Sequence, residues 1–284
     1  MIIIKINGGL GNQLFQYAVG KRLAEKHQIE LKFDISEYTD GYYRKYRLDN
    51  FNIEGKIASK EEINQFKKNN WQKILEKIKP YYKRTTIKYS GYGFDKNILK
   101  LGANVYLDGY WQNEKYFLDI SDIIKQKFTL KNALSPIAQD LQKKTLNCNS
   151  VSIHIRRGDY ITSSKFSKIY KLLPWDYYAN AIKKISIEVS SPIFFIFSDD
   201  IEWIKNNTAI PSPNIIVSRN ELNDYEELFL MSSCRHNIIA NSSFSWWGAW
   251  LNSNPNKIII GPKAWFNFCD NDQGIMPESW LKIS

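Results

Sequence analysis

The chain is predicted to fold as an α/β protein built on parallel, Rossmann-like sheets. Three observations carry this reading. A strand–turn–helix unit opens almost at residue 1. From Val151 onward, short apolar runs alternate regularly with helical stretches. Glycine, arginine, aspartate and serine then gather where strands should hand over to loops. At 284 residues the chain is long enough for one large or two medium domains.

The elements follow from local pattern. Residues 2–6 read as a strand and 7–11 as a glycine-rich turn. Residues 13–26 read as a helix, with Leu14, Tyr17, Ala18 and Leu23 able to share a face. Residues 33–100 hold Tyr38, Tyr42, Tyr43, Tyr46 and a lysine-rich stretch, and are expected to form loops and short helices. Residues 105–107 form a strand, with helices near 114–127 and 135–146. The polar segment 145–150 is the expected domain boundary. Strand 151–155 leads to helix 175–187. Strand 193–197 ends at Ser198-Asp199-Asp200 and a short helix. Strand 214–217 leads to helix 225–233, strand 237–240 to a helix reaching Leu251, and strand 257–260 closes the set.

Composition narrows the classes. Hydrophobic content of 43% excludes wholesale disorder. The aromatic residues are numerous, and core is their default place. Cys148, Cys234 and Cys269 are sparse and widely spaced, with no CxxC or Cys/His metal pattern. That suits a reducing cytoplasm rather than a disulfide framework. No apolar run is long enough to cross a bilayer. The expectation is a soluble cytoplasmic chain, with peripheral membrane contact open.

The net charge is +10. The excess gathers at Lys67, Lys68, Lys73, Lys77, Lys79, Lys83, Arg84 and Lys88, with Glu76 the only acid in that span. Such a patch fits anionic lipid, nucleic acid, or simply a solvated face. No helix-turn-helix, RRM or KH signature accompanies it, so a basic nucleic-acid-binding protein ranks far below an enzyme, and no nucleic-acid partner is expected.

Four strand-end segments suit one kind of ligand. Gly8-Gly9-Leu10-Gly11-Asn12-Gln13 lets backbone approach a ligand, and the helix after it offers unpaired N–H groups to an anion. It is equally a tight turn, and it lacks dinucleotide GxGxxG spacing. His154-Ile155-Arg156-Arg157-Gly158-Asp159-Tyr160 places two guanidinium forks where a diphosphate would bind. His154 also reads as a satisfied strand-end histidine. Asp159 could orient an arginine, cap a turn or act as a base. In Phe197-Ser198-Asp199-Asp200 one aspartate could accept from guanine and the other cap a helix. Asn241-Ser242-Ser243-Phe244 opens a helix and offers hydroxyls and N–H groups as a second phosphate cradle. Trp250, further along that helix, is expected in the core. Asp270-Asn271-Asp272 has a metal-binding DxD shape but sits in an irregular stretch, and is read as chance.

Together these segments resemble glycosyltransferase family 11, the α-1,2-fucosyltransferases. The matching stretches are GGLGNQLFQ at 8–16, GYWQNEKYF at 109–117, HIRRGDY at 154–160, FSDD at 197–200, and ELFLMSSCRHNIIANSSFSWWGAWL at 227–251. The resemblance implies a GT-B-type fold, two Rossmann-like domains with a cleft between them. An acceptor-side domain would span 1–148 and a GDP-fucose-binding domain 149–284. It implies inversion, GDP-β-L-fucose as donor substrate, a terminal β-galactoside of a glycan or lipid-linked oligosaccharide as acceptor, and no metal or cofactor. Arg156 and Arg157 would hold the diphosphate. His154 and Asp199 would lie by the nucleoside, and Ser242, Ser243 and Phe244 would bind phosphate. Gly9, Gly11, Asn12 and Gln13 would approach diphosphate and fucose. Arg157, Asp159 and Asn12 are the catalytic candidates, Asp159 as base, or Asn12 assisting where leaving-group departure leads. A GDP-sugar transferase with another linkage or donor is the alternative. Residues 33–100 match nothing in the family, so the acceptor is not implied. The basic patch at 67–88 leaves peripheral contact with an anionic membrane open.

Overall fold

A computed structural model of the protein describes residues 1–38, 44–89, 91–218 and 221–284. Tyr42 and Tyr43 lie outside the described residues. Contacts divide the chain into two units, Met1–Asn132 and Ala133–Ser284.

The first unit is a five-stranded sheet with every pairing parallel. Its strands are β1 (Ile2–Lys5), β2 (Leu31–Asp34), β3 (Lys56–Ile57), β4 (Thr86–Lys88) and β5 (Val105–Asp108), in the order β3-β2-β1-β5-β4. Ile2, Ile3 and Ile4 are fully buried, as a central parallel strand covered on both faces requires. Helix α1 (Leu10–His27) follows directly. It stops where Gln28 turns left-handed, with Lys26 and His27 in the last turn complementing the dipole. The remaining helices are α2 (Lys60–Asn64), α3 (Asn70–Ile78) and α4 (Ser121–Lys127). Strands β3 and β4 fall inside the region expected to hold only loops and short helices. The helix expected near 114–127 is instead two tight 3₁₀ turns, 114–116 and 118–120, before α4. Phe117 (φ −143°, ψ 13°) breaks the helical path, and Tyr116 and Phe117 turn fully inward.

The second unit is a six-stranded parallel sheet: β6 (Ser150–Ile155), β7 (Ile193–Ser198), β8 (Asn214–Ile216), β9 (His236–Ile238), β10 (Ile259–Pro262) and β11 (Leu281–Ile283). Its helices are α5 (Pro136–Leu146), α6 (Gly158–Thr162), α7 (Phe166–Ile169), α8 (Trp175–Glu188), α9 (Ile201–Asn207), α10 (Asp224–Ser233) and α11 (Ser243–Leu251). One face of the sheet buries Val151, Ile153 and Ile155 against Tyr177, Ala181, Ile182 and Ile185 of α8. The other packs Phe195 and Phe197 against Ala138 and Leu141 of α5 and Leu230 and Met231 of α10. The break between units therefore precedes α5 instead of falling at 145–150. Helix α5 packs on α10, and the Ser135 N–H donates to Glu226 (2.8 Å). Strand β11, rather than 257–260, closes the set.

The strand order is β11-β10-β9-β6-β7-β8. This is the order of dinucleotide-binding sheets, with the chain reversing direction between β6 and β9. Ligands of such sheets bind in the crevice at the carboxyl ends beside that reversal. The segments after β6, β7 and β9 are the ones the sequence singled out. Trp246, Trp247 and Trp250 of α11 are all buried, and Trp246 Nε1 donates to the Ile275 carbonyl (2.9 Å). Among the described residues no helix is long and apolar enough to cross a membrane.

Candidate active site

β6 delivers both arginines to the sheet edge, where the structure separates their roles. Arg156 is held between two carboxylates: Nη2 to Asp159 Oδ1 at 2.6 Å and Nη1 to Asp199 Oδ2 at 3.0 Å. Arg157 lies with its guanidinium 3.8 Å from the centre of the Trp203 ring. Its Nε faces Asp200 Oδ2 at 3.3 Å, and its backbone N–H donates to Asp199 Oδ1 at 2.9 Å. Among the described residues its two terminal nitrogens make no hydrogen bond, so the fork end is available to a ligand. The dense positive patch expected here is thus matched by three carboxylates. Asp200 also accepts the Trp203 N–H (3.1 Å) and caps α9. Of the two aspartates, Asp200 is therefore the one that caps.

Gly158 explains how Asp199 reaches this position. A Cβ there would sit 2.5 Å from Asp199 Oδ2. Only a residue without a side chain lets the carboxylate close over the start of α6.

Asp199 and Asp200 also line a cavity of about 400 Å³ with Ser198, Ser218 and Glu227. The Ser218 hydroxyl accepts the Ser198 N–H (3.0 Å) and donates to Glu227 Oε2 (3.0 Å). Burial, with the Asp224 and Asp199 charges adding to it, pushes Glu227 up to about 7 from 4.5. The folded protein keeps this proton between pH 4.5 and 7 while the unfolded chain gives it up. The stabilising contribution is therefore whole below about pH 4.5 and is lost as pH rises through about 7. Glu227→Gln is expected to match the wild type near pH 4.5 and exceed it by roughly 1–3 kcal/mol at pH 8. Urea unfolding at the two pH values checks this, and an unchanged pH slope in the variant would refute it.

On the β9 side, Ser242 Oγ accepts the Phe244 N–H (3.3 Å) and caps α11, whose first turn carries no acid. Asn241 Nδ2 ties down the carbonyls of Lys171 (2.7 Å) and Trp265 (2.8 Å), and Tyr160 Oη donates to the Asn241 carbonyl (2.7 Å). Ser243 follows as the first helical residue. His154 is buried 5.7 Å from the Phe244 ring, with no hydrogen-bond partner at Nδ1. Burial first, and Arg156 next, push its pKa well down. The imidazole is neutral at neutral pH and is no proton carrier there.

In the first unit, Gly8 has φ +76°, and a Cβ on it would meet Asn12 Nδ2 at 2.8 Å. Asn12 Oδ1 accepts from Gln112 Nε2 (2.7 Å), which joins the turn after β1 to the segment after β5. Gly9 caps α1 without a side chain, and the first turn has no acid, which suits an anion at this helix start. Gly11 and Gln13 are buried. Gln13 donates to the carbonyls of Gly8 (3.0 Å) and Lys45 (2.8 Å) and accepts the Arg47 N–H (2.9 Å). Both of its amide hydrogens go to backbone carbonyls, so the side chain ties the turn after β1 to residues 45–47.

Asp272 of the DxD-like stretch is buried, paired with Lys282 (2.9 Å) and accepting the Met276 N–H (2.8 Å). It pins β11. Among the described residues no group of three His, Cys, Asp or Glu is placed to hold a metal ion. Trp203, Ser218, Glu227 and Gln112 were not singled out from sequence. Glu227 opens the 227–251 stretch.

The model of the family described as glycosyl transferase family 11 matches residues 1–284. The chain belongs to glycosyl transferase family 11. This family 11 glycosyltransferase is 36% identical to an alpha-1,2-colitosyltransferase of Escherichia coli, over 100% of this chain and 99% of that one. It is 35% identical to the O-antigen biosynthesis glycosyltransferase WbnK of Escherichia coli, over 98% and 99%. Its fold is that of the fucosyltransferase NodZ from Bradyrhizobium, with a TM-score of 0.54 at 12% identity over 87% of this chain and 92% of that one. Two parallel α/β units of this kind make the family 11 protein GT-B-like, as expected from its sequence.

Proposed function

We propose that the protein is an inverting α-1,2-fucosyltransferase. It moves L-fucose from GDP-β-L-fucose to O2 of a terminal β-galactoside in a glycan or lipid-linked oligosaccharide. The observation that carries this reading is Arg157, laid on Trp203 with its fork end open at the β6–β9 reversal. Full-length similarity to an α-1,2-colitosyltransferase and an O-antigen glycosyltransferase supports the linkage and the acceptor class.

In the proposed step, galactose O2 attacks fucose C1 as the bond from C1 to the phosphate oxygen breaks. GDP leaves, the anomeric centre inverts, and the O2 proton passes to solvent or the departing phosphate. Arg157 and the acid-free start of α11 stabilise the growing diphosphate charge. Asp159 serves as the group that orients Arg156, because its Oδ1 is already committed to that guanidinium. Departure of the diphosphate leads the step, and no metal is required.

The test incubates the protein with GDP-fucose and lactose or another β-galactoside and reads the linkage by NMR. An α-1,2-fucosylated product is expected, with the same rate in EDTA. No transfer to any β-galactoside overturns the reading, and loss of rate in EDTA overturns its metal independence. The 36% identical relative favours a second reading, in which colitose replaces fucose. Competition between fucosyl and colitosyl donors decides between them.

A further inference from the structure

Helix α3 is folded inside out. Trp71, Ile74, Leu75 and Ile78 recur at the spacing of one helical stripe, the pattern that faces the core of a globular protein. Here the stripe faces out, with these residues 78%, 56%, 53% and 75% exposed. The one buried residue of the helix is Glu76, a charge. Its carboxylate is paired with Lys68 and with Lys79 (3.0 Å), and it accepts the backbone N–H groups of Thr85 and Thr86 (3.3 Å).

The orientation is fixed from both ends. Asn69 and Gln72 form a reciprocal capping box at the start. At the end, Arg84 donates to the carbonyls of Lys77 (2.7 Å) and Lys79 (2.9 Å). Rotating the stripe inward would break the Glu76 pairings, so the apolar face is presented rather than frayed.

The surroundings say what covers it. Glu76 is the only acid from Lys67 to Lys88, and it is already neutralised inside. Lys67, Lys73, Lys77, Lys83 and Lys88 form no ion pair among the described residues. Tyr82, in the turn after α3, is exposed, with Lys83 Nζ 5.8 Å from its ring centre. Apolar residues led by tryptophan, bordered by lysines and an amphipathic tyrosine, make up the composition of helices that lie in the headgroup layer of a bilayer. A second copy of this chain is a poor occupant, because it would bring the same cations and a net charge of +10 to the contact.

We propose that α3 and the turn after it are an interfacial anchor for an anionic lipid bilayer. Trp71, Ile74, Leu75 and Ile78 enter the headgroup–acyl boundary, and Lys73, Lys77 and Lys83 meet anionic headgroups. The helix lies along the surface and does not span it. This places the enzyme at a membrane face whatever sugar it transfers.

The full chain is sedimented with vesicles of phosphatidylcholine alone, or with about one third phosphatidylglycerol. Binding to the anionic vesicles is expected to be at least about 10-fold tighter and to weaken with salt. Trp71→Ser with Ile78→Ser, which leaves charge unchanged, should lower it by about 10-fold or more. Lys73→Gln with Lys77→Gln should lower it and flatten the salt dependence. All four positions are exposed, so melting temperature and transfer to a soluble acceptor should be unchanged. Equal binding to neutral and anionic vesicles, wild-type binding by the Trp71/Ile78 variant, or a dimer in sedimentation velocity that this variant dissolves would each overturn the proposal.

Discussion

Arg157→Lys is expected to lower kcat/KM for GDP-fucose by about 100-fold or more, which is about 2.7 kcal/mol of transition-state stabilisation. Its melting temperature should stay within a few degrees of the wild type. The reason lies in the shape of the cation. The Arg157 guanidinium lies over the Trp203 ring with Nε toward Asp200, which leaves its two terminal nitrogens without a hydrogen bond among the described residues. An ammonium keeps the charge, but it cannot stack as a plane or offer two parallel donors to a phosphate. The charge-neutral consequences for folding are small, because Asp200 keeps its capping bond to Trp203. Steady-state kinetics with GDP-fucose and thermal melting check both halves. Near-normal turnover would remove Arg157 from the diphosphate site.

Arg156→Met is expected to act in the opposite way, on stability first. Arg156 is the common partner of Asp159 and Asp199, all three side chains being largely sheltered. Removing the cation takes from two half-buried carboxylates the positive charge they share. Loss of one member of a fully buried pair costs about 3–5 kcal/mol, and with the partial exposure here about 2–3 kcal/mol is expected. Adding Asp159→Asn to Arg156→Met should recover part of that loss, measured by urea unfolding as a double-variant cycle. No recovery would mean that the two side chains are not coupled. Asp159→Asn alone then separates the two roles of that carboxylate. A loss of kcat by several orders of magnitude at unchanged stability would make Asp159 the base.

Much of the second unit was legible because its strands are runs of Val, Ile and Phe buried on both faces. That composition announces itself without knowledge of neighbours, as at 151–155 and 193–197. Strand β2 has no such run. Leu31-Lys32-Phe33-Asp34 is short and half polar, and the strand exists because it pairs with β1. Strand β3 is two exposed residues, held by pairing with β2. The polar site divided along the same line. Arg157 could be found because its place after a strand follows from chain order alone. Glu227 could not, since its raised pKa comes first from burial in the folded unit, with the Asp224 and Asp199 charges adding to it. Gln13 shows the same limit. An amide beside a glycine turn has the look of a ligand contact, and only the positions of Lys45 and Arg47 show that backbone has used it.

The strand order of the second unit also sets a timetable. β6 pairs with β7 on one side, soon after in the chain, but with β9 on the other, where Val151 meets His236. During synthesis, β6, β7 and β8 can assemble while β6 still presents a bare apolar edge. That edge stays open until β9, some 85 residues after β6 in the chain, has emerged from the ribosome. A growing chain in this interval is a template for pairing with another of its kind. The same reversal of strand order that makes the ligand crevice therefore leaves the middle of this sheet uncovered while the chain is still being made.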